Sequence, residues 1–222
     1  MVKILSYDKN RYRFTQEVEK IFDVSDLSKL HKVRSEMFPN YKLGFHNEVK
    51  TDYHKRFYSV LNDGSKNSEL KESYSLFISE VVGELIGGSF CYQSFPSFRV
   101  HLPGKKAVNK WHYDSDKDHM HPEWEINFQL ALTDSSETQA MWIESVPGLG
   151  DFHPVNLKKD QFAIFYGNKC RHGNKPNETD LTRVSMDFRV LPIDRYDPTK
   201  NKSSAEKGTK FVIGGYYKLF ER

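Results

Sequence analysis

His112, Asp114 and His172 are the residue types that hold a divalent metal, and their spacing allows them to act together. In an extended chain, residues two apart point to the same side. The His112-Tyr113-Asp114 run therefore offers one ion both an imidazole and a carboxylate. His172, sixty residues after His112, supplies a third ligand from a facing strand. Two imidazoles and a carboxylate on one face of an ion suit iron(II) and leave three coordination positions open. Oxygen chemistry needs such positions, one for O2 and two for a chelating co-substrate.

Arg183 stands eleven residues beyond His172, with Ser185 on the same side of the same strand. A guanidinium grips a carboxylate through two parallel hydrogen bonds, and a serine hydroxyl adds a third. The pair is a good anchor for the far carboxylate of 2-oxoglutarate. With nine histidines in the chain, His112 alone would be read as structural; the ordered set carries the metal reading. Neighbouring groups take plainer expectations. His119 and His121 belong to a solvated turn rather than a rival metal cluster, although they also sit where a gate would. His101 faces inward with Arg99 or bonds a neighbour. Arg189 pairs with Asp187 or a surface carboxylate. Cys170 fills core, Glu144 meets substrate or a rim salt bridge, and Trp111 and Trp124 are core or lid aromatics.

The elements that must position these residues change character along the chain. The first ninety or so residues read as mostly helical. Ser25 is expected to cap a helix with Leu27, Leu30, Met37 and Phe38 on its apolar face. A short helix starts near Asp52 and carries Tyr53, Phe57 and Leu61. The strongest runs from Ser68 to Ile86 with a stripe of Leu70, Tyr74, Phe77, Val81 and Leu85, ended by Gly87 and Gly88. The period then becomes two. Phe98, Val100 and Leu102 alternate with Arg99 and His101. Ile126, Phe128, Leu130 and Leu132 alternate with Glu125, Asn127, Gln129 and Ala131. Val184, Met186, Phe188 and Val190 alternate with Arg183, Ser185, Asp187 and Arg189. Met141 and Ile143 flank Trp142, and residues 161–166 form a short apolar strand. Turn signals at Pro103-Gly104, Pro147-Gly148, Gly167-Asn168 and Gly173-Asn174 separate the runs. Such short punctuated strands indicate a sandwich or barrel, with the polar face of the Arg183 strand turned inward to a site and its apolar face under the helices. Residues 194–208 read as a polar surface loop, and 211–220 as a strand or tail that docks back.

Bulk properties exclude other classes. The net charge is +3, from 33 basic and 30 acidic residues that are interleaved, so no basic stripe for nucleic acid is present. No apolar run is long enough to span a bilayer, and the first residues lack the apolar core of a signal peptide. The two cysteines form no CxxC pair, and reduced thiols in a cytoplasmic protein are expected. A length of 222 residues favours one domain.

The segment from Arg99 to Pro192 resembles the iron(II)/2-oxoglutarate-dependent dioxygenases, and within them the StrG-like group. The stretches that carry the resemblance are FRVHLP, WHYDSDKDH, HPEWEINFQLALTD, MWIESVPGLGDF and FYGNKCRHGNKPNETDLTRVSMDFRV. It implies a mainly β fold, a double-stranded β-helix (a cupin-like jelly roll) with N-terminal helices packed on one sheet. The single domain then divides into a helical buttress at 1–88, a β core at 89–193 and a polar loop and tail at 194–222. It also implies His112, Asp114 and His172 as iron ligands and Arg183 with Ser185 as the co-substrate anchor. Asn127 and Arg99 lie beside the co-substrate, and Trp142 and Gln93 near the substrate. The implied reaction oxidises a small polar molecule, sugar-derived or a natural-product intermediate, with O2, and releases succinate and CO2. The competing reading is a cupin-like metal-binding protein, a sensor or isomerase, without oxygenase turnover. A small-molecule substrate is expected as partner, with no nucleic acid and no membrane; a homo-oligomer stays open.

Overall fold

A computed structural model describes residues 2–33, 51–63, 68–107, 111–199 and 209–222. Its strands are β1 (Lys3–Ser6), β2 (Phe90–Gln93), β3 (Ser97–His101), β4 (Ile126–Ala131), β5 (Met141–Ile143), β6 (His153–Val155), β7 (Gln161–Phe165), β8 (His172–Asn174), β9 (Arg183–Pro192) and β10 (Tyr217–Phe220). A larger antiparallel sheet runs β1-β7-β4-β9-β2-β10, with β3 also paired to β9. A smaller one runs β6-β5-β8. The fold is mainly β with antiparallel sheets, as expected, but strand pairing closes no barrel among the described residues.

The period-two pattern sorts the faces of the larger sheet. Val184, Met186, Phe188 and Val190 of β9 join Phe128 and Leu130 of β4 in one core under the helices. The alternate residues of both strands therefore face the other way. Helix α1 (Phe14–Phe22) and helix α2 (Asp52–Asn62) cover this core. Thr51 caps α2, and Tyr53, Phe57 and Leu61 form its buried face. Phe57 lies flat on Phe98 of β3, with ring centroids 4.3 Å apart and planes 8° from parallel.

Two helical expectations need correction. The segment after Ser25 is a 3₁₀ helix, Leu27–Lys32, capped by Asp26, whose carboxylate accepts from the Ser28 N–H at 2.9 Å. Leu27 and Leu30 are buried as expected; Met37 and Phe38 lie outside the described residues. The long helix is α3 (Ser68–Leu76), a π-helical segment (Phe77–Val82) and α4 (Gly83–Ile86), ended by Gly87 at φ 78°. The wider π turn rotates the buried stripe from Val81 and Leu85 to Ile78 and Val82, leaving Leu85 exposed.

Both ends of the chain enter the larger sheet. β1 pairs with β7, so the N-terminal region is more than a helical buttress. β10 pairs with β2, the docking expected of the tail. Cys91 and Cys170 are buried free thiols. No described helix is long and apolar enough to cross a membrane.

Burial holds the His54 and His101 imidazoles down to about 4, with the Arg99 charge adding to the effect at His54 and the Arg183 charge at His101. Unfolded histidine titrates near 6.5, so below that pH the unfolded chain takes up protons first and stability falls. Each imidazole should remove roughly 3 kcal/mol between about pH 6.5 and 4. Urea unfolding across this range should show the loss, with a shallower slope in His54→Gln. An unchanged slope in the variant would contradict this assignment.

Candidate functional site

Two antiparallel backbone contacts bring the metal-binding residue types together. His112 and His172 sit directly opposite each other, and each N–H donates to the other's carbonyl at 3.0 Å. His172 belongs to β8, so this pairing extends the smaller sheet by one position. Two residues on, the Asp114 N–H donates to the Gly167 carbonyl at 2.9 Å. The HxD spacing then turns His112 and Asp114 to one side. Asp114 Oδ1 lies 3.6 Å from His112 Nε2 and 3.7 Å from His172 Nε2. Among the described residues this trio is the group of metal-binding type, with its donor atoms within 4.8 Å of one another.

The trio fits a divalent ion. Bonds of about 2.1 Å place two donors of one ion at most about 4.2 Å apart, and both histidine–aspartate separations lie inside that limit. His172 Nδ1 donates to the Cys170 carbonyl at 3.2 Å, which leaves Nε2 for a metal. Burial holds the His172 imidazole down to about 4, the neutral form that a ligand requires. Asp114 is fully buried. Burial alone would raise its carboxyl, but the Arg189 charge and the neighbouring His112 outweigh it and hold it well below the usual carboxylate range.

Arg189 makes the expected ion pair with Asp187, at 3.7 Å, but its hydrogen bonds go to a different carboxylate. Its Nε donates to Asp114 Oδ2 at 3.0 Å and its Nη2 to Asp114 Oδ1 at 3.1 Å. Asp187, the expected partner, lies farther away at 3.7 Å and is held by Arg99, whose Nε donates to it at 2.7 Å. The alternation of β9 already put Arg189 on the inward face. Asp114, 75 residues away, gave no sequence signal as its partner. Asn127 brackets the same carboxylate, donating to Asp114 Oδ2 at 2.6 Å and accepting from the Gly167 N–H at 3.0 Å.

Beside the trio lies a small pocket of about 60 Å³, partly open to solvent. Arg99, Gln129, Met141, Arg183 and Asp187 are among its lining residues. The inward polar face expected for β9 and β4 is thus present. Ser185 is buried on the same face as Arg183, and its Oγ has no hydrogen-bond partner among the described residues. Two expected site residues lie elsewhere. Trp142 alternates away from the pocket, which takes Met141 instead; its indole donates to the Glu137 carbonyl at 2.9 Å and Lys175 sits over its ring. Gln93 is not among the lining residues either; it donates to the Phe95 carbonyl at 2.8 Å and accepts from Tyr216 at 2.7 Å.

The plainer expectations resolve similarly. His119 stacks on His112, centroids 4.3 Å apart, and its Nδ1 is 2.7 Å from Asp116. His121 Nδ1 is 2.8 Å from the buried Glu125, so it is no solvated turn residue. His101 bonds neighbours, with Nε2 2.7 Å from the Lys105 carbonyl. Glu144 meets backbone, accepting from Arg171 N–H at 2.7 Å and Gly150 N–H at 3.1 Å. It thereby fixes the residue next to His172.

The chain is 33% identical over 170 residues to the streptomycin biosynthesis protein StrG of Streptomyces griseus, covering 77% of each chain. No family model matches it. It shares its fold with the crystal structure of SnoK, a non-haem α-ketoglutarate-dependent carbocyclase from nogalamycin biosynthesis, at 14% identity, 96% coverage of each chain and a TM-score of 0.52. A second likeness is to the non-haem monooxygenase ThoJ, at 12% identity, 96% coverage of this chain, 82% of that chain and a TM-score of 0.50.

Gly167 has no room for a side chain. A Cβ there would stand 2.7 Å from Asp114 Oδ2 and 3.0 Å from both Asn127 Nδ2 and His172 Cε1. Gly167→Ala should cost about 1–3 kcal/mol by overpacking, read from urea unfolding. Gly88→Ala, which meets nothing within 4 Å, is the control and should stay within about 0.5 kcal/mol of the parent. Equal effects would mean that the Gly167 contact is not tight.

Proposed function

This chain belongs to the family of the streptomycin biosynthesis protein StrG, and on that premise we propose that it is a non-haem iron(II) oxygenase using 2-oxoglutarate. The observation that carries the reading is the convergence of His112 Nε2, His172 Nε2 and Asp114 Oδ1 beside the pocket. Iron(II) held there, with 2-oxoglutarate and O2, supplies the oxidising chemistry and releases succinate and CO2. On this reading the two sheets are the faces of a double-stranded β-helix, with the helices outside the larger one.

Each protein group then has a stated task. His112, His172 and Asp114 hold the iron. Arg183 takes the far carboxylate of 2-oxoglutarate through two parallel hydrogen bonds, and the buried, unpartnered Ser185 hydroxyl donates a third. Met141 and Phe165 line the pocket as apolar walls and keep water from one side of it. Arg99, Asp187 and Gln129 present donors and acceptors on the remaining wall, which suits a small polar substrate.

Anaerobic titration with iron(II) and then 2-oxoglutarate, followed by the visible band of the chelate, tests the reading. His172→Ala should abolish metal binding. Arg183→Ala should retain metal and weaken 2-oxoglutarate binding about tenfold to a hundredfold, the worth of a charge-assisted pair. Bound iron with no 2-oxoglutarate band in the parent protein would favour a metal-binding module without oxygenase turnover.

A further inference from the structure

An ionised carboxylate offers about four lone-pair directions, two on each oxygen. At Asp114 three are engaged by protein. Asn127 Nδ2 and Arg189 Nε donate to Oδ2 at 2.6 and 3.0 Å, and Arg189 Nη2 donates to Oδ1 at 3.1 Å. What remains is on Oδ1, the oxygen 3.6 and 3.7 Å from the two imidazole nitrogens. We infer that Arg189 is a positioning residue that, with Asn127, restricts Asp114 to metal coordination through Oδ1 alone. The inference rests on the trio being the metal site. Its consequence is a count of positions. A carboxylate bound through both oxygens would take a fourth position on a six-coordinate ion, leaving two. One oxygen leaves three, enough for a two-point chelate and one further ligand.

Arg189 is itself held. Asp187 Oδ2 lies 3.7 Å from its Nη1 and Glu125 Oε2 lies 3.8 Å from its Nε. Glu125 is fully buried, accepts a hydrogen bond from the Tyr217 hydroxyl of β10 and lies 2.8 Å from His121 Nδ1. The guanidinium thus has a carboxylate on more than one side. Its planar fork, rather than its charge alone, matches the two oxygens of Asp114.

Co(II) titration against a competing chelator tests this in the full chain, with unfolding curves of the metal-free proteins as the fold control. Arg189→Met should weaken Co(II) binding about tenfold to a hundredfold, as is usual when a group that orients a ligand is removed. Arg189→Lys returns the charge and one hydrogen bond and should recover only part of that loss. Binding by Arg189→Met as tight as the parent's, or tighter, would make Arg189 a mere counter-charge and overturn the inference. If Arg189→Met does not fold, an Arg189→Lys affinity within about twofold of the parent overturns it, because second-shell losses are tenfold or more. A parent protein that binds no Co(II) overturns both this inference and the metal-site reading. A parent that binds, with unaffected variants, overturns the inference alone.

Discussion

A buried carboxylate at Asp114 is the constraint on which the rest of the site depends. Removing one ionised group from water costs several kcal/mol even after the protein relaxes, and Asp114 has no exposed surface. The fold meets that cost with the Arg189 fork and the Asn127 amide. Breaking such a pair from one side typically costs about 3–5 kcal/mol, so the surrounding strands are tied to this geometry. β9 must present Arg189 inward, β4 must present Asn127 beside it, and Gly167 must stay without a side chain.

The same point is where the two sheets meet. His172 is paired to β5 in the smaller sheet and to His112 across the bridge. Asn127 and Arg189, directly paired across β4 and β9, belong to the larger one. Asp114 lies between them. The C-terminal segment closes a further wall, because Tyr217 bonds Glu125, Tyr216 bonds Gln93, and Phe211 packs its ring 4.5 Å from His121. Residues far apart in the chain therefore share one electrostatic environment. A change in the tail reaches Asp114 through Glu125 and Arg189.

Legibility in the sequence followed the range of the interactions. Local periodicity gave the faces of β9, β4 and α2 correctly, because side chains alternate or repeat by backbone geometry alone. The HxD spacing and the inward Arg183 were visible for the same reason, whereas the distal His172 joined them through the family resemblance. What failed depended on partners or backbone defects that no short window contains. The π turn after Leu76 shifted a stripe that a regular helix would have continued. Trp142 was placed at the pocket by its strand, yet the alternation within that strand gives the inward position to Met141. Gln93, expected near the substrate, is not among the pocket's lining residues and donates to the Phe95 carbonyl. Arg189 was legible in direction and in its ion pair with Asp187, but not in its hydrogen bonds to Asp114, which is near only in space.

The most direct measurement is X-ray diffraction at the iron absorption edge from crystals loaded anaerobically with iron(II) and 2-oxoglutarate. The account predicts one anomalous peak bonded to His112 Nε2, His172 Nε2 and Asp114 Oδ1, with Oδ2 still held by Asn127 and Arg189 and the far carboxylate of 2-oxoglutarate at Arg183. Iron bound at another cluster, such as Asp116 and His119, or bound with 2-oxoglutarate away from Arg183, would contradict it.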